Sequence, residues 1–391
     1  MIYLLIFIII FICVIRYDLS CCKQYKKESL FFITFILIMT SGLSYRLGGD
    51  GYCYFREYDK YLPLWDLDAK YFDSFSNRLP GWLILTSITK SLIDDYWFFK
   101  LVHAIIINSL FIYGLSKCTR YIFTGILFYF VLLYFEFNFQ ILRESLSISI
   151  FMYSLPFYFN NKWKKYYACC IFALFFHESS LVAFILPLFR LWDKNSKIKI
   201  VFVFLLFLIV IYGQVIRDTI IQMIPIFGIV AGKIDSYTQF EGDYTFVGFG
   251  NLFLNLIIPL YVIYYMEKKG TPIKYRHLIV EASFLYAFYL VFYIFYRFIH
   301  FFSIFVYLSF IVLIGTILFH RRSFRVLKFS ICCFLLLGFK ARVYLLEYGE
   351  SNVPSYCQYY PYASVFEKST DPRREKLLYS AYNEEVTYKR K

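Results

Sequence analysis

The chain has 391 residues, of which 60% are hydrophobic, and its formal net charge is +14. Apolar runs near the length of a membrane span recur from the first residues to about residue 346, which excludes a soluble protein. The basic charge does not indicate a nucleic-acid partner. Most Lys and Arg residues lie in short connectors between apolar runs, as the positive-inside rule predicts.

The apolar runs predict an all-α fold, a polytopic membrane helical bundle of about 11–13 segments. The partner that this composition requires is the lipid bilayer, and we expect a multi-pass protein of the bacterial inner membrane. Residues 1–346 are predicted to form the membrane domain. Residues 347–391 are predicted to form a polar C-terminal tail.

The basic connectors predict which side of the membrane each loop faces, because Lys and Arg accumulate on the cytoplasmic side. Two long loops, near 44–79 and 213–246, are then predicted to lie outside. The connectors that we place in the cytoplasm are 16–27, 160–165, 190–199, 267–277 and 320–328.

A single span through residues 166–189 would put two of these connectors on opposite sides of the membrane. The run is also interrupted by His177 and Glu178, and a charge at the centre of a bilayer costs about 2–3 kcal/mol or more. We therefore favour two re-entrant half-helices whose polar tip lies in a water-filled cavity. A plain helix with one misplaced connector is the alternative. The short run at 80–93 is predicted to be re-entrant or embedded as well.

The first polar cluster covers residues 45–54 and follows the second helix. Its glycines permit tight turns and close approach to a ligand. Arg46 and Asp50 offer a charge pair, and tyrosines such as Tyr54 offer faces on which a sugar can stack. The alternative interpretation is an interfacial turn within an aromatic belt.

The second cluster begins at Gln140 and continues into an apolar helix. Gln140, Arg143, Ser147 and Ser154 share one helix face, which makes a polar stripe inside a membrane segment. The planar guanidinium of Arg143 suits a diphosphate. The alternative is that Arg143 and Glu144 extend to the membrane surface as a pair.

Two further clusters carry histidine. His177 is the natural proton acceptor near neutral pH, and Glu178 beside it is the rival base. A structural hydrogen bond is the alternative role for His177. Arg297 and His300 are three residues apart and share a helix face, unless they only anchor a short outside turn.

Several signatures of other chemistries are missing. The sequence has no Walker motif, no GxSxG, no HExxH and no dinucleotide-binding fingerprint. No spacing of Cys and His suits a metal, so we expect neither a metal nor another cofactor. Any chemistry must be assembled from side chains on different helices.

In its order of clusters, the chain resembles the EpsG family of polysaccharide polymerases, which are relatives of the Wzy-type O-antigen polymerases. The resemblance rests on residues 45–50 with Tyr54, 139–146, 174–181, Arg297, and Pro361 with Tyr362. It departs from the family in one place, before the third hydrophobic segment. There such proteins usually carry a Glu, and this chain has Asn77, Arg78, Leu79, Pro80 and Gly81.

The resemblance implies an enzyme that moves a glycan from undecaprenyl diphosphate to a hydroxyl of another repeat. The substrate would be an undecaprenyl-diphosphate-linked oligosaccharide, and the product exopolysaccharide, capsule or O-antigen made at the outer face. Candidate partners are a chain-length regulator and a flippase. The base would be His177, Asp50 or Glu178. Substrate binding would involve Arg46, Tyr54, Gln140, Arg143, Arg297 and His300.

Three alternatives remain open from the sequence. The chain could be a flippase or another secondary transporter of lipid-linked sugars, although it shows no internal repeat. It could be a ligase or acyltransferase with His177 as base. In addition, Cys53 and Cys357 are both predicted outside, where they form either a disulfide or two free thiols.

Overall fold

A computed structural model describes residues 2–75, 78–223, 250, 252–317, 325–347 and 352–390. These residues form two compact units. The first unit contains residues 1–180 and 323–391, and the second contains residues 181–322. Within the described ranges the regular structure is helical, apart from two isolated β-bridges. The prediction of an all-α membrane protein is confirmed.

The first unit contains twelve α-helices within its described residues. The first of them, α1, continues as a π-helical turn over Val14–Leu19. The helices are α1 (Ile2–Cys13), α2 (Lys26–Gly42), α3 (Gly49–Tyr58), α4 (Ala69–Ser74), α5 (Pro80–Leu92), α6 (Tyr96–Cys118), α7 (Ile122–Leu132), α8 (Tyr134–Phe139), α9 (Leu142–Phe159), α10 (Trp163–Leu174), α17 (Arg325–Ala341) and α18 (Pro372–Arg390).

The second unit contains six α-helices within its described residues. They are joined by a 3-10 segment, Leu186–Asp193, and by a π-helical turn, Phe253–Ile257. The helices are α11 (Leu181–Ile185), α12 (Ser196–Met223), α13 (Ile258–Lys268), α14 (Arg276–Val291), α15 (Phe295–Ile299) and α16 (Ser303–Ile317).

Three helical segments of the described chain are long and apolar enough to cross a membrane: Ile2–Leu19, Tyr96–Cys118 and Ser196–Arg217. The 23 residues of α6 would extend about 34 Å at the helical rise, which exceeds the hydrocarbon thickness. α12 continues to Met223, so the described part of the predicted outside loop 213–246 is helical. The rest of that loop lies outside the described residues.

α6 lies at the centre of the first unit and packs against α2, α5 and α9. It begins where the Asp95 carboxylate accepts a hydrogen bond from the Trp97 backbone N–H at 3.1 Å, which satisfies an otherwise unbonded helix-end donor. α5 begins with Pro80, whose fixed φ suits the first turn of a helix. A largely aromatic core joins α3, α5, α6, α9 and α10 and includes Tyr54, Trp82 and Phe99.

The helix break expected around residue 177 is present. α10 ends at Leu174 after 12 residues, and a 3-10 turn follows at Glu178–Ser180. Twelve residues extend about 18 Å, which is too short for a full crossing. That the two halves dip into the membrane and return to one side stays a prediction.

In the second unit, two of the connectors predicted to be cytoplasmic touch each other. Arg276 Nε donates to Asp193 Oδ1 at 2.7 Å, and Trp192 Nε1 donates to Glu267 Oε1 at 3.1 Å. The connectors at 190–199 and 267–277 therefore contact each other, and that both face the cytoplasm stays a prediction.

Candidate active site

The loop between α2 and α3 packs directly against the end of α8. Gly48 has a φ of +80°, and a Cβ added there would stand 2.2 Å from the Phe139 carbonyl oxygen. A Cβ at Gly51 would stand 2.5 Å from the same oxygen. Both glycines are therefore needed for the approach of α3 to residue 139, so the first two predicted clusters meet here.

The backbone N–H groups at the start of α3 are bonded within the protein. Gly48 N donates to the Gln358 carbonyl at 3.0 Å, and Gly49 N donates to Gln358 Oε1 at 3.2 Å. Asp50 N donates to Gln140 Oε1 at 2.9 Å. We call this meeting point of residues 48–50, Gln140 and Gln358 the glutamine junction. Its amides hold chain segments together, so they are not open to an anionic ligand.

Gln140 lies between α8 and α9 and uses its side chain fully at this junction. Its Nε2 donates to Gln358 Oε1 and, at 3.0 Å, to Tyr359 Oη, while its Oε1 accepts from Asp50. An amide nitrogen carries two protons, so both donors are used. Gln140 therefore joins three chain segments in the structure.

Arg143 stands in the first turn of α9, three residues beyond the junction. Its Nε donates to Tyr54 Oη at 3.1 Å, and the residue is only partly buried. Tyr54 is 8% exposed and belongs to the aromatic core. A guanidinium has five N–H donors in a planar fork that matches the geometry of a phosphate group.

A second arginine, which is not among the predicted site residues, lies against the ring of Tyr54. The Arg78 guanidinium is 5.5 Å from the centre of the Tyr54 ring, and its Nη2 bonds Glu57 Oε2 at 2.8 Å. Their side chains are 7% and 14% exposed. Burial alone would lower the pKa of Arg78, but the Tyr54 hydroxyl and the Glu57 carboxylate outweigh it and hold that pKa above its usual range.

Glu57 is further fixed by Tyr61, whose hydroxyl donates to Glu57 Oε2 at 2.9 Å and accepts from Trp82 Nε1 at 3.0 Å. Arg78 stands in the segment where the family usually carries a Glu. An acid is thus present beside that segment, but α3 supplies it. The signal in the sequence was the i, i+3 spacing of Tyr54 and Glu57, which puts both on one face of α3.

Two polar side chains of α6 hold the backbone where α8 gives way to α9. Lys100 Nζ donates to the Asn138 carbonyl and lies 5.2 Å from the centre of the Phe139 ring. One turn later, His103 Nε2 donates to the Leu142 carbonyl at 2.9 Å. Both side chains are buried. The Asn138 carbonyl lies at the end of α8, where carbonyls lack helical N–H partners, and the Leu142 carbonyl lies in the first turn of α9. The two bonds therefore help to place Arg143.

Arg46 is tied to the C-terminal helix. Its Nη2 bonds Glu375 Oε2 at 2.6 Å, and its guanidinium lies 4.8 Å from the centre of the Tyr52 ring. Burial would lower the pKa of Arg46, but the Glu375 carboxylate and neighbouring tyrosines raise it above its usual value. Arg46 therefore stays charged and already has an anionic partner.

His177 forms a closed local turn with Ser179. The Ser179 backbone N–H donates to His177 Nδ1 at 3.2 Å, and Ser179 Oγ lies 2.6 Å from the same nitrogen. A backbone N–H can only donate, so Nδ1 accepts and the proton of the neutral ring is on Nε2. Glu178, between them, is exposed.

This turn is joined to α9 through one carbonyl. The Ala173 oxygen accepts both from the His177 backbone N–H at 3.3 Å and from Ser147 Oγ at 2.9 Å. Ser147 lies one turn beyond Arg143 on the same helix face. The second and third predicted clusters are therefore connected by hydrogen bonds within the first unit.

A protein-family model, described as the EpsG family, matches residues 27–364, which is most of the chain. The chain belongs to the EpsG family. Members are Wzy-like polysaccharide polymerases, so this membrane protein is a glycosyltransferase-like polymerase acting on lipid-linked oligosaccharide. No curated protein and no solved structure matches the chain.

The matched region of this EpsG-family chain includes all nine predicted site residues, and seven of them lie in the first unit. Arg297 and His300 lie in the second unit. Arg297 is exposed, whereas His300 is 4% exposed and its ring centre is 4.4 Å from that of Tyr296. That these two residues join Arg143 in one cavity stays a prediction.

The described part of this family member has neither a metal site nor a disulfide between Cys53 and Cys357. No group of three His, Cys, Asp or Glu side chains in the described ranges could hold a metal ion. Cys53 and Cys357 are both buried and are not joined by a disulfide, so the alternative of two thiols holds.

Proposed function

We propose that the protein joins oligosaccharide repeats carried on undecaprenyl diphosphate into exopolysaccharide, capsule or O-antigen. The reaction would take place at the outer face of the bacterial cytoplasmic membrane, which the chain would cross several times. The observation that carries this proposal is the position of Arg143. The partly buried Arg143 guanidinium lies in the first turn of α9, which packs against the long apolar helix α6. A lipid diphosphate can bind there with its tail in the bilayer.

In the proposed reaction, a hydroxyl of one repeat attacks the anomeric carbon of another. The new glycosidic bond forms as the bond between that carbon and the diphosphate oxygen breaks, and the electron pair leaves with the diphosphate. Fixed positive charge stabilises this leaving group because it is already oriented when the negative charge develops. Arg143 would supply the direct contact, and Arg78, paired with Glu57, would hold the ring of Tyr54 in place.

The acceptor hydroxyl must lose a proton to a base. His177, Asp50 and Glu178 remain the three candidates. Asp50 and Glu178 are exposed carboxylates, while the lone pair of His177 Nδ1 already faces the Ser179 N–H. We therefore favour a carboxylate as the base. His177 would donate a hydrogen bond from Nε2 to the diphosphate or to the sugar.

The remaining predicted residues receive different roles in this proposal. Tyr54 would orient Arg143 and present its hydroxyl to the substrate. Gln140 and Arg46 would shape the site, because their donors bond other parts of the chain. That Arg297 and His300 also bind substrate stays a prediction.

The C-terminal segment bears on the topology. Residues Ala363 and Val365 exchange backbone hydrogen bonds with Tyr45 and Leu43 at 2.9 and 3.0 Å. In this proposal the C-terminal segment and the first polar loop are therefore assigned to the same side of the membrane. If that loop is outside, the whole junction faces the space where lipid-linked repeats are polymerised.

Deletion of the gene followed by analysis of lipid-linked intermediates tests this function. We expect single repeats on undecaprenyl diphosphate to accumulate in the outer leaflet, and the wild-type gene to restore long polymer. Accumulation in the inner leaflet would contradict the proposal and indicate a flippase. Long polymer that is made but not attached would indicate a ligase.

A further inference from the structure

We propose that Gln358, which was not among the predicted site residues, is a positioning residue for the transfer reaction. It would act by holding Gln140 and the start of α3, and through them Arg143 and Tyr54. This inference rests on the proposed function, because it concerns how the same site is built. It adds the C-terminal segment as a component of that site.

Gln358 makes three contacts at the glutamine junction. Its side-chain Oε1 accepts from Gly49 N at 3.2 Å and from Gln140 Nε2, while its backbone oxygen accepts from Gly48 N at 3.0 Å. The residue is 2% exposed. One side chain thus connects the first predicted cluster to the second, across 309 and 218 positions of the sequence.

Gln358 is itself held in place by the rest of the C-terminal segment. The Arg374 side chain is buried and donates to the Pro361 carbonyl at 2.7 Å and to the Ser369 carbonyl at 2.6 Å. Glu375 then bonds Arg46 at 2.6 Å. The acceptor at residue 358 is therefore positioned by contacts that involve no substrate.

Removing this acceptor would leave a buried donor on Gly49 and a partly buried donor on Gln140 without it. Buried donors move to find partners because losing a hydrogen bond in a low-dielectric interior is costly. Gln140 directly precedes the α9 segment that carries Arg143. A displacement of about 1 Å in a group that contacts the reacting atoms can reduce a rate about 100-fold.

Substitutions that keep or remove the side-chain oxygen of Gln358 distinguish a positioning role from a general loss of stability. The contacts to Gly49 and Gln140 both use the side-chain oxygen of Gln358, and a carboxylate supplies the same oxygen. Gln358→Glu should keep both bonds, whereas Gln358→Leu removes them. Gln358→Asn keeps the amide but withdraws it by one methylene. Gln24→Leu is the matched control, because Gln24 is exposed in the connector between α1 and α2.

The experiment uses full-length protein in lipid nanodiscs with a synthetic undecaprenyl-diphosphate oligosaccharide. We expect Gln358→Glu and Gln24→Leu to stay within about threefold of wild-type kcat. Gln358→Leu and Gln358→Asn should lose about tenfold or more in kcat with little change in KM. Thermal unfolding of each variant is measured alongside, and Gln358→Asn carries the test if Gln358→Leu does not fold.

The inference is overturned if Gln358→Asn keeps wild-type kcat, or if Gln358→Glu is as impaired as Gln358→Asn. Arg143→Ala in the same assay separates this failure from that of the proposed function. If Arg143→Ala is inactive while Gln358→Asn is normal, only the positioning role is wrong. If Arg143→Ala keeps wild-type activity, the proposed site itself is wrong.

Discussion

The Nε of Arg143 donates a hydrogen bond to the hydroxyl of Tyr54 at 3.1 Å, which joins the start of α9 to the middle of α3. These residues are 89 positions apart in the sequence. Arg78 lies against the ring of the same tyrosine, so two guanidinium groups share one aromatic neighbour.

Arg143→Ala should reduce polymer formation about 100-fold or more, because it removes fixed positive charge at the proposed leaving group. Arg143→Lys should recover only part of the activity, since an ammonium lacks the planar fork. Polymer length is measured by gel electrophoresis, and protein level by membrane immunoblot. Arg120→Ala is the control, because Arg120 is exposed and bonds the neighbouring Tyr121. Long polymer in the Arg143→Ala strain would contradict the assignment.

His177→Asn should abolish activity while the protein folds normally. The Asn side-chain oxygen can accept from the Ser179 N–H as Nδ1 does, so the turn is kept, but the Nε2 donor is lost. His177→Gln should retain some activity, because its amide can donate from near the Nε2 position. Initial rates with a lipid-linked oligosaccharide measure this. Normal rates for His177→Asn would show that the imidazole has only a structural role.

Gly48→Ala should destabilise the protein by about 3 kcal/mol, because its Cβ would meet the Phe139 carbonyl at 2.2 Å in addition to the strain at φ +80°. Gly270→Ala is a matched control, with φ +70° but no atom within 4 Å of the added Cβ. It should cost only about 1 kcal/mol. Thermal unfolding in detergent compares the two. Equal costs would mean that the close approach of α3 to residue 139 is wrong.

Glu57→Gln and Arg78→Met should each destabilise the protein by about 3 kcal/mol, because each leaves the other group buried without its charged partner. The double variant should be more stable than the sum of the two effects predicts, with a coupling of about 2 kcal/mol. Gln at position 57 keeps an acceptor for the Tyr61 hydroxyl. A coupling near zero in denaturant unfolding would mean that the pair is not formed.

The helical class, the membrane environment and the helix break near His177 could be predicted from local patterns. Hydropathy marks apolar helices, and a charged pair marks where such a helix must stop. The sequence also identifies the first three polar clusters, which contact one another in the structure. The sequence could not show which donors and acceptors they use on one another, since that depends on contacts more than 80 residues apart.

The polar stripe on α9 shows this limit clearly. Ser147 and Ser154 share a face with Arg143, as the helical period predicts. Each hydroxyl nevertheless donates its hydrogen bond to a backbone carbonyl. Ser147 bonds the Ala173 carbonyl at 2.9 Å, and Ser154 bonds the Phe151 carbonyl at 2.7 Å. In a membrane segment, a hydroxyl that bonds a backbone carbonyl satisfies its own polarity. Spacing alone does not distinguish this use from substrate binding.

Lys100, Glu57, Arg78 and Gln358 were missed for a related reason. Each is a single polar residue without a motif around it, and its importance comes from the carbonyl, carboxylate or amide that it meets on another helix. The sequence also predicts residues 347–391 to be a separate polar tail. Its helix α18 packs against α3, a contact that its charged composition does not reveal.

Gln358 reaches Gly49 across most of the chain, which has a consequence for how the protein matures. A ribosome must synthesise at least 358 residues before the glutamine junction can form. When the earlier helices enter the membrane, the Gly49 N–H therefore does not yet have the Gln358 side chain as its acceptor. Any product that terminates before that point would contain Arg143, Tyr54 and His177 and still lack the glutamine that connects the first two polar clusters.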